Sequence, residues 1–447
     1  MKKLKKALVL GLGASGEAAV GLLLRDGTDV TVIDRSEDAD ILRSARRISR
    51  RGVEVLTGAD KLPADDFDIC VASPGIAPSS DWFRQAAARR IPVISELELG
   101  FSRCRCPVLA ITGSNGKSTL VRLCGDALRL AGKRVALGGN YGEPLSSLAL
   151  KSDGLDWLIV EVSSFQLERV ETFSPKVAVV LNLNPNHLDR HGNMRTYIGL
   201  KMRIFARMRG TGLAVVPEDR LKALERSGHG SARVATFGCG VRADYRYADG
   251  MVISAGKPCG VVLPLTGTIF GNRVMGLTAA AAVAAVRGCG VKASFVGEAA
   301  RRFKPLEHRL NRVRLLDGVT FVDDSKATNL AAMKAGIEIC GGSVLLIAGG
   351  MLKESGLGFV KKTLAKHVRR AYFIGHSAKE MKRAWGGIVE CRVCGDMKRA
   401  VLAARLDARP GETVLLSPAG TSFDQYGSFE ERGKHFAKIV KSLKEKR

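Results

Sequence analysis

The segment GSNGKST at residues 113–119 constrains this chain more than any other part of the sequence. It follows a short apolar run, Val108–Ile111, and leads into a helical pattern. In such a turn, backbone N–H groups and the helix N-terminus hold an anion, and Lys117 reaches the outer phosphates of a nucleotide. The turn is shorter than the common P-loop, because Ile111 stands where the first glycine is usual. We predict a nucleotide-phosphate site formed by Gly113, Ser114, Asn115, Gly116, Lys117, Ser118 and Thr119.

Strand and helix patterns alternate along most of the 447 residues, which predicts parallel sheets covered by helices on both faces. Residues 102–107 and 303–309 have the composition of linkers, and residues 231–270 are more β-like and rich in glycine. We therefore predict an α/β fold with three domains. They are a Rossmann-like N-terminal domain (1–102), a central P-loop ATPase domain with a parallel sheet (103–304) and a C-terminal Rossmann-like α/β domain (305–447).

A second glycine turn has the spacing Gly11-x-Gly13-x-x-Gly16 and follows the first strand, and Asp34 ends the next strand. This spacing is typical of a dinucleotide-binding turn, in which the backbone approaches a pyrophosphate and an acid binds a ribose. The segment SPGI at 73–76 adds hydroxyl and backbone donors at the same sheet edge. We predict a nucleotide diphosphate ligand. An NAD-dependent oxidoreductase is an alternative, but it leaves the 113–119 turn without a role.

Two residues that follow buried strands are candidates for a Mg²⁺ site. Glu161 ends the apolar strand Trp157–Val162, where an unpaired carboxylate is costly. His187 follows the next strand, which we expect to lie beside the phosphate turn. Mg²⁺ prefers oxygen ligands and completes its shell with water and substrate phosphates, so Ser118 or Thr119 is a further candidate ligand.

Lys201 interrupts an apolar helical stripe. Tyr197, Leu200, Ile204 and Phe205 are spaced to lie on one helix face, and Lys201 falls within that face. One interpretation is a lysine that extends its amine to solvent. The other is a lysine held near neutrality by burial and therefore reactive. The residues alone favour neither.

The last third of the chain contains four clear strands, each followed by a polar or glycine-containing loop: DDSKATN, AGGMLKES, GHS and SPAGTSFDQ. In an open parallel sheet, ligands bind beyond the carboxyl ends of the strands. We therefore expect these loops to converge on one small molecule.

Charge and composition limit the possible partners. The net charge of +26 invites a nucleic-acid partner, but the basic residues are spread over separate clusters and no RNA-binding signature is present. A nucleic-acid-binding ATPase remains a minor alternative. The apolar stretch Ala279–Val286 is too short to span a bilayer, and we interpret the basic N-terminus as the first strand and not as a signal peptide. We expect a cytoplasmic monomer with free cysteines that acts on small molecules, without nucleic acid or membrane as a partner.

Five motifs are similar to those of the Mur ligase family: TGSNGKST, EVSSFQLE, NHLDRH, DDSKATN and SPAGTSFDQYGSFEERG. The resemblance covers nearly the whole chain. It implies an ATP-dependent ligase of cytoplasmic peptidoglycan synthesis that phosphorylates a substrate carboxylate and lets an amine attack the acyl phosphate. The SSFQLE, DSKATN and C-terminal motifs imply addition of D-glutamate to UDP-N-acetylmuramoyl-L-alanine. A related ligase that adds another amino acid, similar to folylpolyglutamate synthases, is the alternative.

The resemblance also implies roles for particular residues. Lys117, Glu161, His187 and Lys201 would be catalytic, and Ser118, Glu161, His187 and carbamylated Lys201 would form the magnesium site. ATP would contact residues 113–119, Arg309 and Asp324. D-glutamate would contact Lys326, Thr328, Lys353, Ser422 and Phe429. The UDP substrate would contact Gly13, Ala14, Ser15, Asp34, Arg35, Ser73, Pro74, Gly75, Asn140 and Ser163.

One stretch departs from the family pattern. Relatives carry His and two Asn residues before the alanine-rich helix, where they contribute to adenine recognition, whereas this chain has Arg273, Val274 and Leu277. Valine and leucine cannot make the amide hydrogen bonds. We expect looser purine discrimination, or a substitute role for Asn272 or Arg273. The position of Arg35 after Asp34 is also shifted from the family pattern, at the predicted uracil and diphosphate contacts.

Overall fold

A computed structural model describes residues 4–255, 260, 262–353 and 356–445. Three separate sheets confirm the predicted α/β class with three domains. By its contacts the chain forms two compact units: Met1–Leu183 with Arg195–Arg302, and Asn184–Met194 with Phe303–Arg447. The predicted domain limits of 102/103 and 304/305 stay predictions.

The first sheet is fully parallel, in the order β3-β2-β1-β4-β5. This is the strand order expected for a Rossmann-like unit. Successive strands are added on one side of β1 up to β3 and on its other side from β4, and ligands bind in such sheets at this switch point between β1 and β4. Its strands are β1 (Lys6–Leu10), β2 (Asp29–Ile33), β3 (Glu54–Leu56), β4 (Ile69–Ala72) and β5 (Val93–Ser95). Its helices are α1 (Ala14–Arg25), α2 (Ala39–Ser49), α3 (Asp81–Ala88) and α4 (Glu96–Phe101).

The second sheet has nine strands, in the order β14-β13-β12-β11-β10-β9-β6-β8-β7, and is parallel except at β12–β14. Its strands are β6 (Val108–Thr112), β7 (Val135–Gly139), β8 (Trp157–Glu161), β9 (Val177–Val180), β10 (Leu213–Pro217), β11 (Arg233–Gly238), β12 (Tyr245–Ala248), β13 (Met251–Ser254) and β14 (Val262–Pro264). The helices of this region are α5 (Lys117–Leu130), α6 (Leu145–Ala149), α7 (Leu188–His191), α8 (Met194–Met202), α9 (Leu221–Ser227), α10 (Arg273–Gly288) and α11 (Ser294–Arg302).

The third sheet, in the second unit, has the order β15-β16-β20-β17-β18-β19 and is parallel except for the β15–β16 pair. Its strands are β15 (Asn311–Leu316), β16 (Val319–Asp323), β17 (Val344–Gly349), β18 (Val368–Ile374), β19 (Glu390–Gly395) and β20 (Thr413–Ala419). Its helices are α12 (Leu330–Cys340), α13 (Lys361–His367), α14 (Ala378–Trp385), α15 (Met397–Asp407) and α16 (Phe429–Ser442). Short 3₁₀ turns are formed by Gln166–Arg169, Glu218–Arg220 and Leu357–Val360.

The central strands are buried on both faces, which is why they could be read from sequence as continuous apolar runs. All five residues of β6 and of β8 are buried. Strands β7 and β19 were not predicted from the sequence. Both lie at sheet edges, and β7 contains paired glycines whereas β19 contains exposed charged residues. Within the described ranges, no helix is both long and apolar enough to cross a bilayer. The nine cysteines of those ranges are free thiols.

One buried acid in α4, Glu96, makes the stability of the first unit depend on pH. Glu96 is 1% exposed, its Oε1 accepts from the Ser146 N–H at 2.6 Å, and its Oε2 has no hydrogen-bond partner. Burial raises the pKa of Glu96 from 4.5 to about 7. Because the unfolded chain ionises near 4.5, the free energy of unfolding falls as pH rises from 4.5 through 7, by roughly 3 kcal/mol in total.

Glu96→Gln is expected to remove this loss. Urea unfolding should show the variant more stable than the wild type at pH 8, with the difference vanishing near pH 4.5. Glu98→Gln, on the same helix, is the matched control, because the Glu98 carboxylate accepts from the backbone N–H groups of residues 171–173. It should destabilise the protein at both pH values. A Glu96→Gln effect that is equal at pH 5 and pH 8 would contradict the prediction.

Candidate active site

The first glycine turn has the geometry that its spacing predicts. Gly11 has φ +87°, and its carbonyl accepts from the Ser73 hydroxyl at 3.1 Å. A Cβ on Gly16 would lie 1.9 Å from the Gly11 carbonyl oxygen, so only glycine fits where α1 meets the turn. Gly13 precedes the first residue of α1 and leaves the helix N-terminus without a side-chain cap, open to an anion.

Asp34 and Arg35 already have partners within the first unit. The two oxygens of the Asp34 carboxylate accept from the Leu12 N–H at 2.6 Å and the Ser36 N–H at 2.8 Å. Arg35 stacks 4.9 Å from the Trp82 ring and pairs with Asp60 and Asp81. Asp34 therefore connects the glycine turn to the end of β2. The contacts of Ala14, Ser15, Pro74 and Gly75 with a substrate stay predictions, as do those of Asp34 and Arg35.

The phosphate turn between β6 and α5 is fixed by a residue that the sequence analysis missed. Gly113 and Gly116 have φ values of +156° and +80°. The Asn182 Oδ1 accepts from the backbone N–H groups of Ser114 and Asn115 at 3.0 and 2.9 Å, and its Nδ2 donates to the Asn115 carbonyl. Asn182 follows β9, which pairs with β6, so its amide fixes the turn from the neighbouring strand.

Lys117 and Ser118 lie at the start of α5, where the phosphate model requires them. The Lys117 ammonium donates to the carbonyls of Gly113 and Ser114 at 3.0 and 3.2 Å, so it lies along the turn. The Ser118 hydroxyl donates to the Glu161 Oε2 at 2.5 Å. Thr119 is 8% exposed. The geometry brings a phosphate-binding cation and a hydroxyl–carboxylate pair to the same end of the sheet.

Glu161 connects the phosphate turn with two predicted substrate residues. Its Oε1 accepts from the Asn140 Nδ2 at 2.9 Å, and Asn140 follows β7. Ser163, two residues beyond Glu161, is fixed by hydrogen bonds to the Gln166 side-chain oxygen and from the Gln166 backbone N–H. Glu161 is 4% exposed, so its carboxylate is held by donors from two neighbouring elements.

The oxygen donors at this position fit Mg²⁺. A serine hydroxyl and a carboxylate oxygen lie 2.5 Å apart, and both are hard ligands of the kind that Mg²⁺ prefers. Among the described residues, no group of three or more His, Cys, Asp or Glu side chains forms a metal cage.

Lys201 is buried beside this site. It is 2% exposed, its Nζ donates to the Thr112 hydroxyl at 3.2 Å and lies 4.9 Å from the centre of the Tyr197 ring. Burial, with a contribution from the Lys117 charge, lowers the pKa of Lys201 well below 10.5, although Glu161 opposes the shift. Of the two interpretations left open by the sequence, the structure favours the buried amine, whose pKa is lowered, over one that extends to solvent.

The helix that carries Lys201 is shorter than its apolar stripe suggests. α8 ends at Met202, and residues 203–206 continue as tighter turns, with the N–H of Ile204 bonded to the Lys201 carbonyl at 3.3 Å. Ile204 and Phe205 are nevertheless fully buried. Tyr197, which the sequence analysis treated as a core residue, bonds through its hydroxyl to the Ser114 hydroxyl at 2.8 Å. It therefore joins α8 to the phosphate turn.

His187 belongs to the second unit, in the segment Asn184–Met194. It immediately precedes α7 and has φ +55°, an unusual conformation for a residue other than glycine. Backbone strain of this kind is concentrated at functional positions. Its role as a magnesium ligand stays a prediction.

The second turn of α10 lies next to the phosphate turn. The Thr278 Oγ1 is 3.9 Å from the position of a Cβ on Gly116. Asn272 caps α10: its Oδ1 accepts from the Met275 N–H at 3.0 Å, and its Nδ2 donates to the Ile269 carbonyl at 2.9 Å. Both ends of its amide are thus used within the protein, whereas Arg273 is exposed. Arg273 is the better candidate for contact with a purine.

In the second unit, Asp324 is a buried acid at the carboxyl end of β16. It is 7% exposed, and its Oδ2 accepts from the Ser417 hydroxyl at 2.8 Å. Burial raises its pKa from 3.8 to about 7; the Ser417 hydrogen bond and the charge of Arg309 oppose the shift. Arg309 and Asp324, both predicted to contact ATP, are therefore close enough to interact electrostatically.

The predicted D-glutamate residues gather at the carboxyl edge of the third sheet. The Lys326 ammonium lies 3.7 Å from the centre of the Phe429 ring. Lys353 and Ser422 lie on loops that pair through two backbone hydrogen bonds between Met351 and Thr421. Thr328 follows Lys326 before α12 and donates its N–H to the Lys326 carbonyl. Three converging loops thus carry the set Lys326, Thr328, Lys353, Ser422 and Phe429.

Arg432 connects two of these loops by hydrogen bonds, and the sequence analysis assigned it no role. It is 1% exposed and donates to the Ser325 hydroxyl and carbonyl at 3.0 and 2.9 Å and to the Gly420 carbonyl at 3.1 Å. The Ser325 hydroxyl in turn donates to the Phe429 carbonyl. Burial lowers the pKa of Arg432 to about 10, which leaves it charged at neutral pH. The only sequence signal was an arginine on the apolar face of α16.

Three family models match the chain in the order of its sheets. They are described as the Mur ligase MurD-like N-terminal domain (residues 5–95), the Mur ligase middle domain (111–283) and the Mur ligase glutamate ligase domain (308–420). Together they span most of the chain.

Full-length relatives carry one name. The UDP-N-acetylmuramoylalanine–D-glutamate ligase of Acidobacterium capsulatum is 36% identical over 445 residues, covering 98% of this chain and 96% of the relative. That of Pelotomaculum thermopropionicum is 37% identical over 455 residues, covering 98% of both chains.

Solved structures share the fold at lower identity. A Thermotoga maritima MurF ligase in complex with ADP superposes with a TM-score of 0.61 at 19% identity, over 93% of this chain and 96% of that chain. The UDP-N-acetylmuramate–alanine ligase MurC of the same organism superposes with a TM-score of 0.59 at 18% identity, over 99% and 100%.

Proposed function

The chain belongs to the Mur ligase family, and we propose that it is the ATP-dependent ligase that joins D-glutamate to UDP-N-acetylmuramoyl-L-alanine. The observation that carries this proposal is full-length similarity, above one third identity, to relatives named for that reaction. The gathering of Lys326, Ser422 and Phe429 at one sheet edge supports it, because a dicarboxylate substrate needs cations and hydroxyls.

The first step of the reaction converts the alanine carboxylate, which is a poor electrophile, into an acyl phosphate, which is a good one. The terminal phosphate of ATP is transferred to the alanine carboxylate, giving an acyl phosphate and ADP. The amine of D-glutamate attacks the acyl carbon, and the tetrahedral intermediate collapses to an amide with loss of phosphate. The protein acts mainly by positioning the reactants and neutralising charge.

The residues of the predicted central domain (103–304) divide this work. Residues 113–119 hold the ATP phosphates, and Lys117 neutralises charge on the outer ones. Ser118, Glu161, His187 and carbamylated Lys201 would hold Mg²⁺, which supplies charge neutralisation at the transferred phosphoryl group when bound. Asn140 and Ser163, beside Glu161, contact the muramoyl-alanine end.

The lowered pKa of Lys201 suits carbamylation. A neutral amine can add CO₂ to form a carbamate, with loss of a proton, whereas an ammonium cannot. The product places a negative charge close to the phosphate turn. We further propose that the enzyme acts as a monomer in the cytoplasm.

The test is phosphate release from ATP and Mg²⁺ in the presence of UDP-N-acetylmuramoyl-L-alanine and a panel of amino acids. We expect release to require D-glutamate and to fail with L-glutamate, and the product to gain the mass of one glutamate residue. Absence of release with every amino acid, by a protein shown to be folded, would refute the assignment. Dihydrofolate and L-glutamate would then test the folylpolyglutamate alternative.

Purine selection should depend on Arg273 and not on Asn272. A guanidinium over a purine contributes about 1 kcal/mol, so Arg273→Ala should raise the KM for ATP about fivefold and reduce the preference for ATP over GTP. Asn272→Ala removes a helix cap and should lower the free energy of unfolding by about 1 kcal/mol without changing that preference. The ratio of kcat/KM for ATP and GTP measures both. An unchanged ratio in Arg273→Ala would contradict the assignment.

A further inference from the structure

Two neighbouring helices of the second unit present an unusual outer surface. α15 and α16 pack side by side on one face of the third sheet, where Val401, Ala404, Phe436 and Val440 form part of the core. Their opposite sides are exposed. We call this exposed side the α15–α16 surface; it consists of Lys398, Leu402, Leu406, Lys434, Lys438 and Lys441.

The apolar part of this surface is a leucine pair. Leu402 is 42% exposed and Leu406 is 74% exposed. Residues four apart on a helix are neighbours, so the two side chains form one apolar strip. Single exposed leucines are common and need no explanation, but an adjacent pair on a surface that also carries exposed lysines combines two features of lipid-binding helices.

The charged part of this surface is predominantly basic. The 14 residues from Lys434 to Arg447 contain six basic residues and one acidic residue. Acidic groups near α15 are engaged elsewhere: Asp407 pairs with Arg370 and accepts from the Tyr372 hydroxyl, and Asp396 caps α15 by accepting from the Arg399 N–H. The lysines on the α15–α16 surface therefore face little local compensation.

The end of α16 is firmly held, so these lysines are presented on an ordered helix. The Arg314 guanidinium, from β15, donates to the carbonyls of Lys441 and Leu443 at 3.2 and 2.7 Å. These are carbonyls that the last turn of a helix leaves without an internal partner. A fixed helix end loses less conformational freedom on binding than a mobile tail does.

We propose that the α15–α16 surface docks on an anionic phospholipid bilayer, with Leu402 and Leu406 entering the headgroup layer and the lysines contacting acidic headgroups. Lysines near an anionic bilayer are attracted to it, and leucines gain by leaving water. A nucleic acid would use the charges but not the leucine pair, and it favours aromatic residues, which this surface lacks. The sequence-based expectation of no membrane partner rested on the absence of a spanning segment, which peripheral binding does not require.

Docking in this way leaves the ligand edge of the sheet accessible. Helices that connect parallel strands run opposite to them, so α15 and α16 begin near the carboxyl edge, where Phe429 lies, and end near the amino edge. Leu406 and Lys441 are in the last turns of their helices. The most apolar and basic part of the surface is thus at the end away from Lys326 and Ser422.

Sedimentation with vesicles tests the proposal. The full chain should bind vesicles containing about one third phosphatidylglycerol, should not bind pure phosphatidylcholine vesicles, and should be released as salt is raised. Reversing Lys434, Lys438 and Lys441 to Glu should weaken binding at least about tenfold, since each lysine contributes roughly fivefold. The matched control reverses three exposed arginines of α2 and its end, Arg46, Arg50 and Arg51, and should bind like the wild type.

Substitutions of Leu402 and Leu406 provide the decisive test of membrane docking. Leu406→Trp should show a blue shift of its fluorescence on anionic vesicles, and Leu402→Ser with Leu406→Ser should weaken vesicle binding several-fold without changing the net charge. Ligase activity in solution should be unchanged in every variant. Equal losses in the lysine and α2 variants, no effect of the serine changes, or tighter binding to RNA than to anionic vesicles would each overturn the proposal.

Discussion

Lys201→Ala is expected to lower kcat/KM by on the order of a thousandfold, the scale seen when a group that stabilises the transition state is removed. Acetate or another short carboxylic acid in solution is expected to restore part of the activity. The free acid would occupy the space left by the side chain and replace the carbamate oxygens. Activity should rise with acid concentration and saturate.

The structural reason lies in the surroundings of the amine. Lys201 is 2% exposed and has the Thr112 hydroxyl as a hydrogen-bond partner, with the Tyr197 ring on one side. Burial lowers its pKa well below 10.5. A lysine that served only to neutralise phosphate would be better placed in a site that keeps it charged.

Phosphate release is the measurement, with mass spectrometry of the intact protein to detect the added CO₂. Lys222→Ala, an exposed lysine of α9, is the matched control and should retain full activity. Lys201→Arg should be inactive and resistant to rescue, because a guanidinium stays charged and fills the space. A folded Lys201→Ala protein that no carboxylic acid restores would refute the carbamate role.

Glu161→Gln is expected to lower kcat by at least about a hundredfold and to raise the Mg²⁺ concentration needed for half-maximal activity. The wild-type carboxylate accepts from the Ser118 hydroxyl at 2.5 Å and from Asn140 at 2.9 Å. A glutamine has one acceptor oxygen, so its amide nitrogen must face one of these donors. The change thus removes the negative charge, and one of the two hydrogen bonds is either reversed, with the Ser118 hydroxyl as acceptor, or lost.

A Mg²⁺ titration of phosphate release separates a metal role from a structural one. Glu143→Gln is the control, because Glu143 forms a partly exposed ion pair with Lys151 away from the phosphate turn. It should leave the titration unchanged. If Glu161→Gln lost activity with an unchanged Mg²⁺ dependence, the carboxylate would be a positioning group and not a metal ligand.

Features that depend on neighbouring residues in the chain could be predicted from the sequence alone. Glycine spacing predicted the turns at Gly11–Gly16 and Gly113–Thr119, because a positive φ and a close approach of backbone to backbone are local requirements. Apolar runs predicted the buried strands β6, β8 and β9, since parallel strands covered on both faces have no polar side. The α/β class with three domains followed from the alternation of such runs with helical patterns.

The partners of individual side chains could not be predicted in this way, since hydrogen bonds between distant segments leave no periodic signal. Asn182 reaches the phosphate turn from 67 residues away, and Arg432 reaches Ser325 over 107 residues. The same limit applied to Lys201, whose two interpretations differ only in how completely other elements cover it. The sequence by itself determined the sheets, the turns and the chemical types of the site residues. Only the tertiary structure decided which of them are buried, which are already paired and which are close enough to act together, because burial and pairing depend on segments that meet only in the folded chain.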